Sequence, residues 1–431
     1  MAKNPLYFIR NATSIFATLG IAISLVGPST AQQCAQVPIL TFEGLKDNEP
    51  IWMYYAGGSG TKGTKGTQNY GISFEADSWA IISDLTIIQS PAGVTTGTGN
   101  FSNAPSGVTS AYFYGGAGVI MDVPAGFTTG FSVYYAAPYD AGSITVYDDV
   151  GGKGNVLATL QLPINQPYCG LEIYSCWSPV GVAFNGVAKS VNFGGAANYI
   201  GFDNITVGSV SPGIIASMAQ LASAGSWDTS VTLINLGSSA VCASLQFYAD
   251  PNGGPLNLPI TFPQGGAPAT KTSSVVGNIN PNALLVIDTT GPDANPNVGW
   301  ANLQAAGNVG GYAVFTNTAQ NWEAVVPIEV SNANSYLLPF DNTGSLHTGL
   351  AIANLSPQPA TVNVSIHNDA GFQIDNQTIQ MSALGHTSFL LDSTYAKTAG
   401  VRGSVVFTTQ SGGQISMLGL RANGRRSPRF R

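Results

Sequence analysis

Charge is what this 431-residue chain has least of: only 9% of its residues are Asp, Glu, Lys or Arg. Histidine is scarcer still, with His347, His367 and His386 the whole supply. General acid–base and metal sites are built from clustered ionisable groups, so a chain this poor in them does not read as an enzyme. The Gly-x-Ser-x-Gly elbow and the His-Glu-x-x-His helix are both missing. Nothing in the sequence places a nucleophile and an orienting acid around any histidine, so all three read as exposed turn residues. Glu323 and Glu329 share a strand face, yet six residues of strand hold them about 20 Å apart. A glycosidase pair needs about 5–9.5 Å. Residues 57–66 are Gly-rich but lack a Gly-Lys-Ser/Thr ending and precede no helix, which excludes a phosphate loop and leaves a mobile surface loop.

Long apolar runs are confined to the first 31 residues. Lys3 and Arg10 precede an apolar stretch over 15–26, Gly27-Pro28 breaks it, and Ser29-Thr30-Ala31 is a small-residue cleavage site. The stretch is shorter than the about 20 residues that span a bilayer. Gln33 before Cys34 does not suit a lipid anchor on that cysteine. The reading is an export signal over 1–31 and a soluble product outside the cell, with no membrane span after cleavage. Cysteine is also sparse, at four. In an exported chain these point to disulfides. Cys169 and Cys176 bracket a short loop they would staple, contributing about 2–3 kcal/mol. Cys34 and Cys242 pair with each other or stay free. The scattered spacing excludes zinc.

The formal charge of −7 hides a split. Residues 32–420 hold 22 acids against eight bases, a net −14, and Arg421, Arg425, Arg426, Arg429 and Arg431 gather at the end. An acidic body argues against nucleic acid as a partner. The basic tail, 424–431, is disordered or touches anionic envelope polymers.

What the chain does have is glycine, 52 residues of it, and short runs of Val, Ile, Tyr, Phe and Thr punctuated by turn residues every eight to twelve positions. That pattern is all-β. Residues 214–221 form an apolar segment too short to classify. Ser-Val-Ser-Pro-Gly at 209–213 marks a boundary, and beyond it the chain repeats. Gly225-Ser226-Trp227-Asp228-Thr229 returns 119 residues later as Gly344-Ser345-Leu346-His347-Thr348, and Leu233-Ile234-Asn235-Leu236 as Ile352-Ala353-Asn354-Leu355. Asp250 meets Asp369 at the same offset, and 298–303 parallels 401–406 at a shorter one. The reading is a jelly-roll-like sandwich over 32–209 followed by two tandem β-sandwich modules, 213–330 and 331–423, each with its own core.

Residues 38–208 resemble a module at the front of many exported bacterial proteins of the PEP-CTERM sorting type. The resemblance rests on Ile39-Leu40-Thr41-Phe42-Glu43-Gly44-Leu45, Asn69-Tyr70-Gly71-Ile72-Ser73-Phe74, the segment 99–106, Val123-Pro124-Ala125-Gly126-Phe127 and Ile200-Gly201-Phe202-Asp203-Asn204-Ile205. It implies a jelly-roll-like, exported, surface-associated domain with no general activity. The Pro-Glu-Pro signal and its following apolar helix are missing from this sequence. The tandem modules resemble repeats of secreted soil-bacterial proteins, which carries no function.

Two candidate sites follow. Glu43 on the first strand and Asp203 on the last would share a structural calcium ion if those strands lie side by side. Trp52, Tyr55, Tyr135 and Tyr139 are candidate carbohydrate-binding rings, since flat aromatics suit the apolar faces of sugars. Alternation along a strand puts one of Tyr134 and Tyr135 in the core. The expected function is non-catalytic: surface binding, adhesion or matrix structure at the cell exterior, with extracellular polysaccharide or envelope polymers as partners. The alternative is a carbohydrate-binding protein or part of a glycan-processing hydrolase.

Overall fold

The computed structural model describes residues 37–66, 69–84, 97–170, 172–265, 269–289, 296–319, 322–330, 333–356, 358–409 and 414–423. The segment 1–31 read as an export signal, Cys34 and the basic tail 424–431 lie outside the described residues. The regular structure of that chain is almost entirely antiparallel β-sheet, as the alternating short runs require. Among the described residues no helix is long and apolar enough to cross a membrane.

The first sandwich is built from twelve strands. They are β1 (Ile39–Leu40), β2 (Glu49–Pro50), β3 (Ser73–Phe74), β4 (Ser78–Ile82), β5 (Thr109–Phe113) and β6 (Gly118–Phe127). There follow β7 (Gly130–Ala136), β8 (Gly142–Tyr147), β9 (Val156–Leu162), β10 (Ser178–Ala183), β11 (Ala188–Gly194) and β12 (Gly201–Val207). One sheet runs β10-β7-β12-β5-β4-β2, with β1 added to β12, and the other runs β3-β6-β11-β8-β9. Inward residues of both sheets form one core. Phe193 on β11 reaches across it, edge-on to Phe131 on β7 at 5.9 Å and to Phe202 on β12 at 5.0 Å, the geometry the ring quadrupole favours. First and last strands do lie side by side, with Ile39 opposite Thr206 and Leu40 opposite Ile205.

The second core is enclosed by β13 (Ile214–Ser223), β14 (Trp227–Asn235), β15 (Val241–Ala249), β16 (Leu258–Ile260), β17 (Thr270–Thr272), β18 (Ser274–Ile279), β19 (Leu284–Asp288), β20 (Asn297–Ala305), β21 (Val309–Asn317) and β22 (Trp322–Pro327). The third is enclosed by β23 (Ser335–Asp341), β24 (Leu346–Asn354), β25 (Ala360–Asn368), β26 (Gln373–Met381), β27 (His386–Leu390), β28 (Arg402–Thr408) and β29 (Ile415–Asn423), with one helical turn α1 (Leu391–Thr394). Sheet orders β13-β20-β15-β18 and β19-β14-β21-β22 recur as β23-β28-β25-β26 and β27-β24-β29. β16 and β17 pair separately as a two-stranded ribbon.

The repeat reaches individual hydrogen bonds. Asn235 donates to the carbonyls of Ser239 and Ile279 and accepts from the Gly237 amide. Asn354, 119 residues on, donates to Gln358 and Ser382 and accepts from Ser356. Along the later strands the offset is 104, since Ser244 faces Gln304 where Asn363 faces Thr408. The alignment of 298–303 with 401–406 is therefore one residue out, a slip that would reverse every side chain. Gly299 and Gly403 fix the true register: a Cβ on either would sit 1.9 Å from a carbonyl oxygen, of Tyr248 and His367 respectively.

Several expectations are corrected. Residues 214–221 belong to β13, buried on both faces over most of its length because it also packs against β24 and β29 of the third core; a strand covered on both sides loses its alternation. The Gly-rich segment 57–66 is not a free loop. Glu49, fully buried, accepts bonds from the amides of Lys46, Lys62 and Thr64 and from the Thr64 hydroxyl, and so gathers it. Glu329 lies beyond β22, bridged to Ser217, so it shares no strand with Glu323. The histidines all lie on strands. His386 is 1% exposed, its ring nitrogens have no hydrogen-bond partner, and Asp250 stands 3.9 Å away. His347, the second residue of β24, does have an orienting acid: its Nδ1 lies 2.5 Å from Asp392 on α1.

Candidate functional site: an uncharged cleft beside the disulfide loop

The two candidate calcium ligands converge on one loop. Glu43 sits past the end of β1, in a turn entered by Phe42 at a φ of 62°, and not on the strand. Its Oε1 accepts from the amides of Val108 (2.9 Å) and Thr109 (2.6 Å), and its Oε2 faces the Thr109 hydroxyl. Asp203 lies on β12 at a register shift and accepts from the amides of Ser106 (2.9 Å) and Asn204 (2.8 Å). Burial pushes the Glu43 pKa up to about 8 and that of Asp203 well above the carboxylate range, where the charge on Glu43 adds to the rise. Calcium needs six to eight oxygens turned to one point. These carboxyls turn theirs onto N–H and O–H donors, so the arrangement fits hydrogen-bonded carboxyl groups and does not fit a shared cation. Among the described residues no three His, Cys, Asp or Glu side chains gather as metal ligands.

The four candidate rings separate. Tyr55 and Tyr135 are in the core. The Tyr55 hydroxyl accepts from the Phe42 amide, and that of Tyr135 donates to the Pro163 carbonyl. Both rings are under a tenth exposed, although Tyr55 also borders a cleft with Glu43 and Tyr70. Trp52 and Tyr139 are exposed. Of the adjacent pair on β7 it is Tyr134 that faces outward, opposite Pro179 of β10 and Asp203 of β12. The parity argument identified the pair; only the sheet's phase identifies the member.

Tyr134 lines a cleft of about 750 Å³ between the first sandwich and the second module. Its walls come from the 103–105 turn, β7, the disulfide loop and Asn204 on one side, and from Ile214, Asn308, Val309 and Val330 on the other. Cys169 and Cys176 are disulfide-bonded, as their spacing suggested, and both line the cleft. Cys242 is disulfide-bonded as well. The loop is further fixed by Ser175, whose hydroxyl accepts from the amides of Cys169 and Gly170. Asn165 ties its far end to β7, donating to the carbonyls of Tyr135 and Cys176 while accepting from the Ala137 amide. Trp177 donates its indole N–H to the Ser102 carbonyl and stands edge-on to Phe101. Between the two walls, Asn204 donates to the Gly213 carbonyl and Thr206 accepts from the Gly213 amide, pinning the entry to β13.

Among the described residues, no charged side chain lines the cleft. Amides, hydroxyls and two aromatic rings supply donors, acceptors and apolar faces, which is chemistry for a neutral polyhydroxylated ligand and poor chemistry for an ion. Sequence reasoning missed this set because its members come from five separate segments and amides are common throughout the chain.

Neither a protein-family model nor a curated protein matches this chain.

Proposed function

We propose that this is an exported, non-catalytic protein that works by binding at the cell exterior, and that the cleft beside Tyr134 and Trp177 holds a neutral glycan. The observation that carries the reading is the lining itself: a cleft of about 750 Å³, large enough for several sugar units, walled by amides, hydroxyls and aromatic rings with no charged side chain. The Cys169–Cys176 disulfide on its wall suits an oxidising compartment, in keeping with the signal-like start of the chain and the resemblance of 38–208 to exported modules.

Affinity electrophoresis of the full-length mature chain through gels containing neutral polysaccharides tests it, with an anionic polysaccharide as control. Retardation by a neutral polymer is expected, weakened about ten-fold in Tyr134→Ala, which removes one ring from the cleft wall. Passage through every neutral polymer without retardation would end the binding reading. Release of reducing ends from any of them would end the non-catalytic one.

A further inference from the structure

We propose that the tyrosine cluster Tyr139–Tyr174–Tyr199 and the small pocket beside it form a second subsite, specific for a neutral hexopyranose unit whose exocyclic hydroxymethyl group seats against Ser110. This rests on the glycan reading above and names the sugar class.

Three observations meet here. Tyr139 is 51% exposed and Tyr199 46%, and neither belongs to the core of the sandwich. Tyr139 stands between its two partners, 6.1 Å from Tyr174 and 6.3 Å from Tyr199, edge-to-face with each. Rings locked in that way present rigid apolar faces with polar edges, which match the C–H face and equatorial hydroxyls of a pyranose. Next to the cluster is a pocket of about 50 Å³ shared by Tyr174, Trp177, Asn198 and Gly201. Trp177 also lines the large cleft, so one glycan chain can run from cleft to cluster. Thirdly, Ser110 lines this pocket, is 1% exposed, and its hydroxyl has no hydrogen-bond partner.

A buried hydroxyl without a partner is unfavourable, and one lining a pocket marks where a ligand's polar group belongs. The volume admits one water-sized or hydroxymethyl-sized group and little more. Among the described residues no charged side chain lines it, which disfavours a carboxylate or sulfate substituent. A hexopyranose stacked on the tyrosines supplies a hydroxymethyl arm of suitable size; a pentopyranose has none.

The test measures the full-length mature chain by calorimetry against β-1,4-linked gluco-, manno- and galactohexaose, with xylohexaose as the counterpart lacking the hydroxymethyl group. At least one hexose oligomer is expected to bind about five-fold or more tighter than xylohexaose, the size of one neutral hydrogen bond. Tyr139→Ala and Tyr199→Ala should each weaken it about ten-fold. Ser110→Ala should remove the preference over xylohexaose while leaving the melting temperature unchanged or raised, because that hydroxyl has no bond to lose. Equal affinity for xylohexaose, or a preference that survives Ser110→Ala, overturns the proposal. If Tyr134→Ala abolishes binding while the Tyr139, Tyr199 and Ser110 variants do not, the cleft reading stands and this subsite falls. No binding by any oligomer or neutral polymer ends both.

Discussion

Replacing Glu43 by glutamine should make the protein more stable in mild alkali and leave it nearly unchanged in acid. In the folded chain burial outweighs the hydrogen bonds from Val108 and Thr109 and moves the Glu43 pKa from 4.5 to about 8. The unfolded chain therefore releases this proton near pH 4.5 and the folded chain only near pH 8. Stability contributed by the protonated carboxyl is complete below pH 4.5 and is lost progressively as pH rises to about 8. A displacement of that size corresponds to at most about 5 kcal/mol at about 1.4 kcal/mol per unit. Glu43 keeps some contact with solvent, and screening reduces the effect to about 2–3 kcal/mol. Glutamine preserves the contacts, since its carbonyl can accept the two amides and its NH₂ can donate to the Thr109 hydroxyl. Asp203 and Glu329 are also raised and slope the same way; Asp203 is raised in part by the charge on Glu43, so the difference between variant and wild type reports Glu43 together with its coupling to Asp203. Urea midpoints measured in steps from pH 4.5 to 8.5 should show the two curves diverging, with Glu43→Gln about 2–3 kcal/mol more stable at the alkaline end. Parallel curves, or a wild-type stability that climbs with pH relative to the variant, would refute a neutral Glu43.

Two further outcomes follow from named hydrogen bonds. Asn235→Ala and Asn354→Ala each remove a buried asparagine that bonds two carbonyls and one amide; each should cost about 2–4 kcal/mol in urea unfolding, and a costly change at one site beside a neutral one at the other would break the equivalence of the modules. Glu49→Ala removes the acceptor for Lys46, Lys62 and Thr64; trypsin should then cut after Lys62 or Lys65 about ten-fold faster or more, following the population of the open loop, and unchanged resistance would show that the glycine segment holds itself.

The sequence carried the strand content and the 119-residue offset, because each leaves a local or periodic mark; the adjacency of first and last strands entered only as a condition suggested by the jelly-roll reading. It did not carry phase. Alternation made one of Tyr134 and Tyr135 a core residue, but which one depends on where β7 sits between β10 and β12, a non-local fact. The second offset slipped by one because loops of unequal length intervene, and its true marker is steric: Gly299 and Gly403 lie against carbonyls of strands about 50 and 36 residues earlier. The role of Glu49 was equally hidden, since its backbone partners lie up to 15 residues away in a segment whose composition alone suggests mobility.

Scarce charge takes on a different meaning once those partners are known. Loops between sheets carry backbone N–H groups that no ladder satisfies, and buried ones require acceptors. Glu43 and Asp203 serve the 106–109 turn, Glu49 the 57–66 segment, and Asp47 the amide of Ile82. Glu329 joins the two modules, accepting from Tyr336 on β23 and Ser416 on β29 while its backbone pairs with Ser217 on β13. A carboxyl offers two oxygens to several donors at once, so one side chain fixes a loop that would otherwise need several amides. These acids are thus spent inside the joints, and among the described residues neither the cleft nor the small pocket beside the tyrosines is lined by a charged side chain. A surface that selects a neutral, heavily hydroxylated ligand over the ions of its surroundings is the expected consequence of that placement.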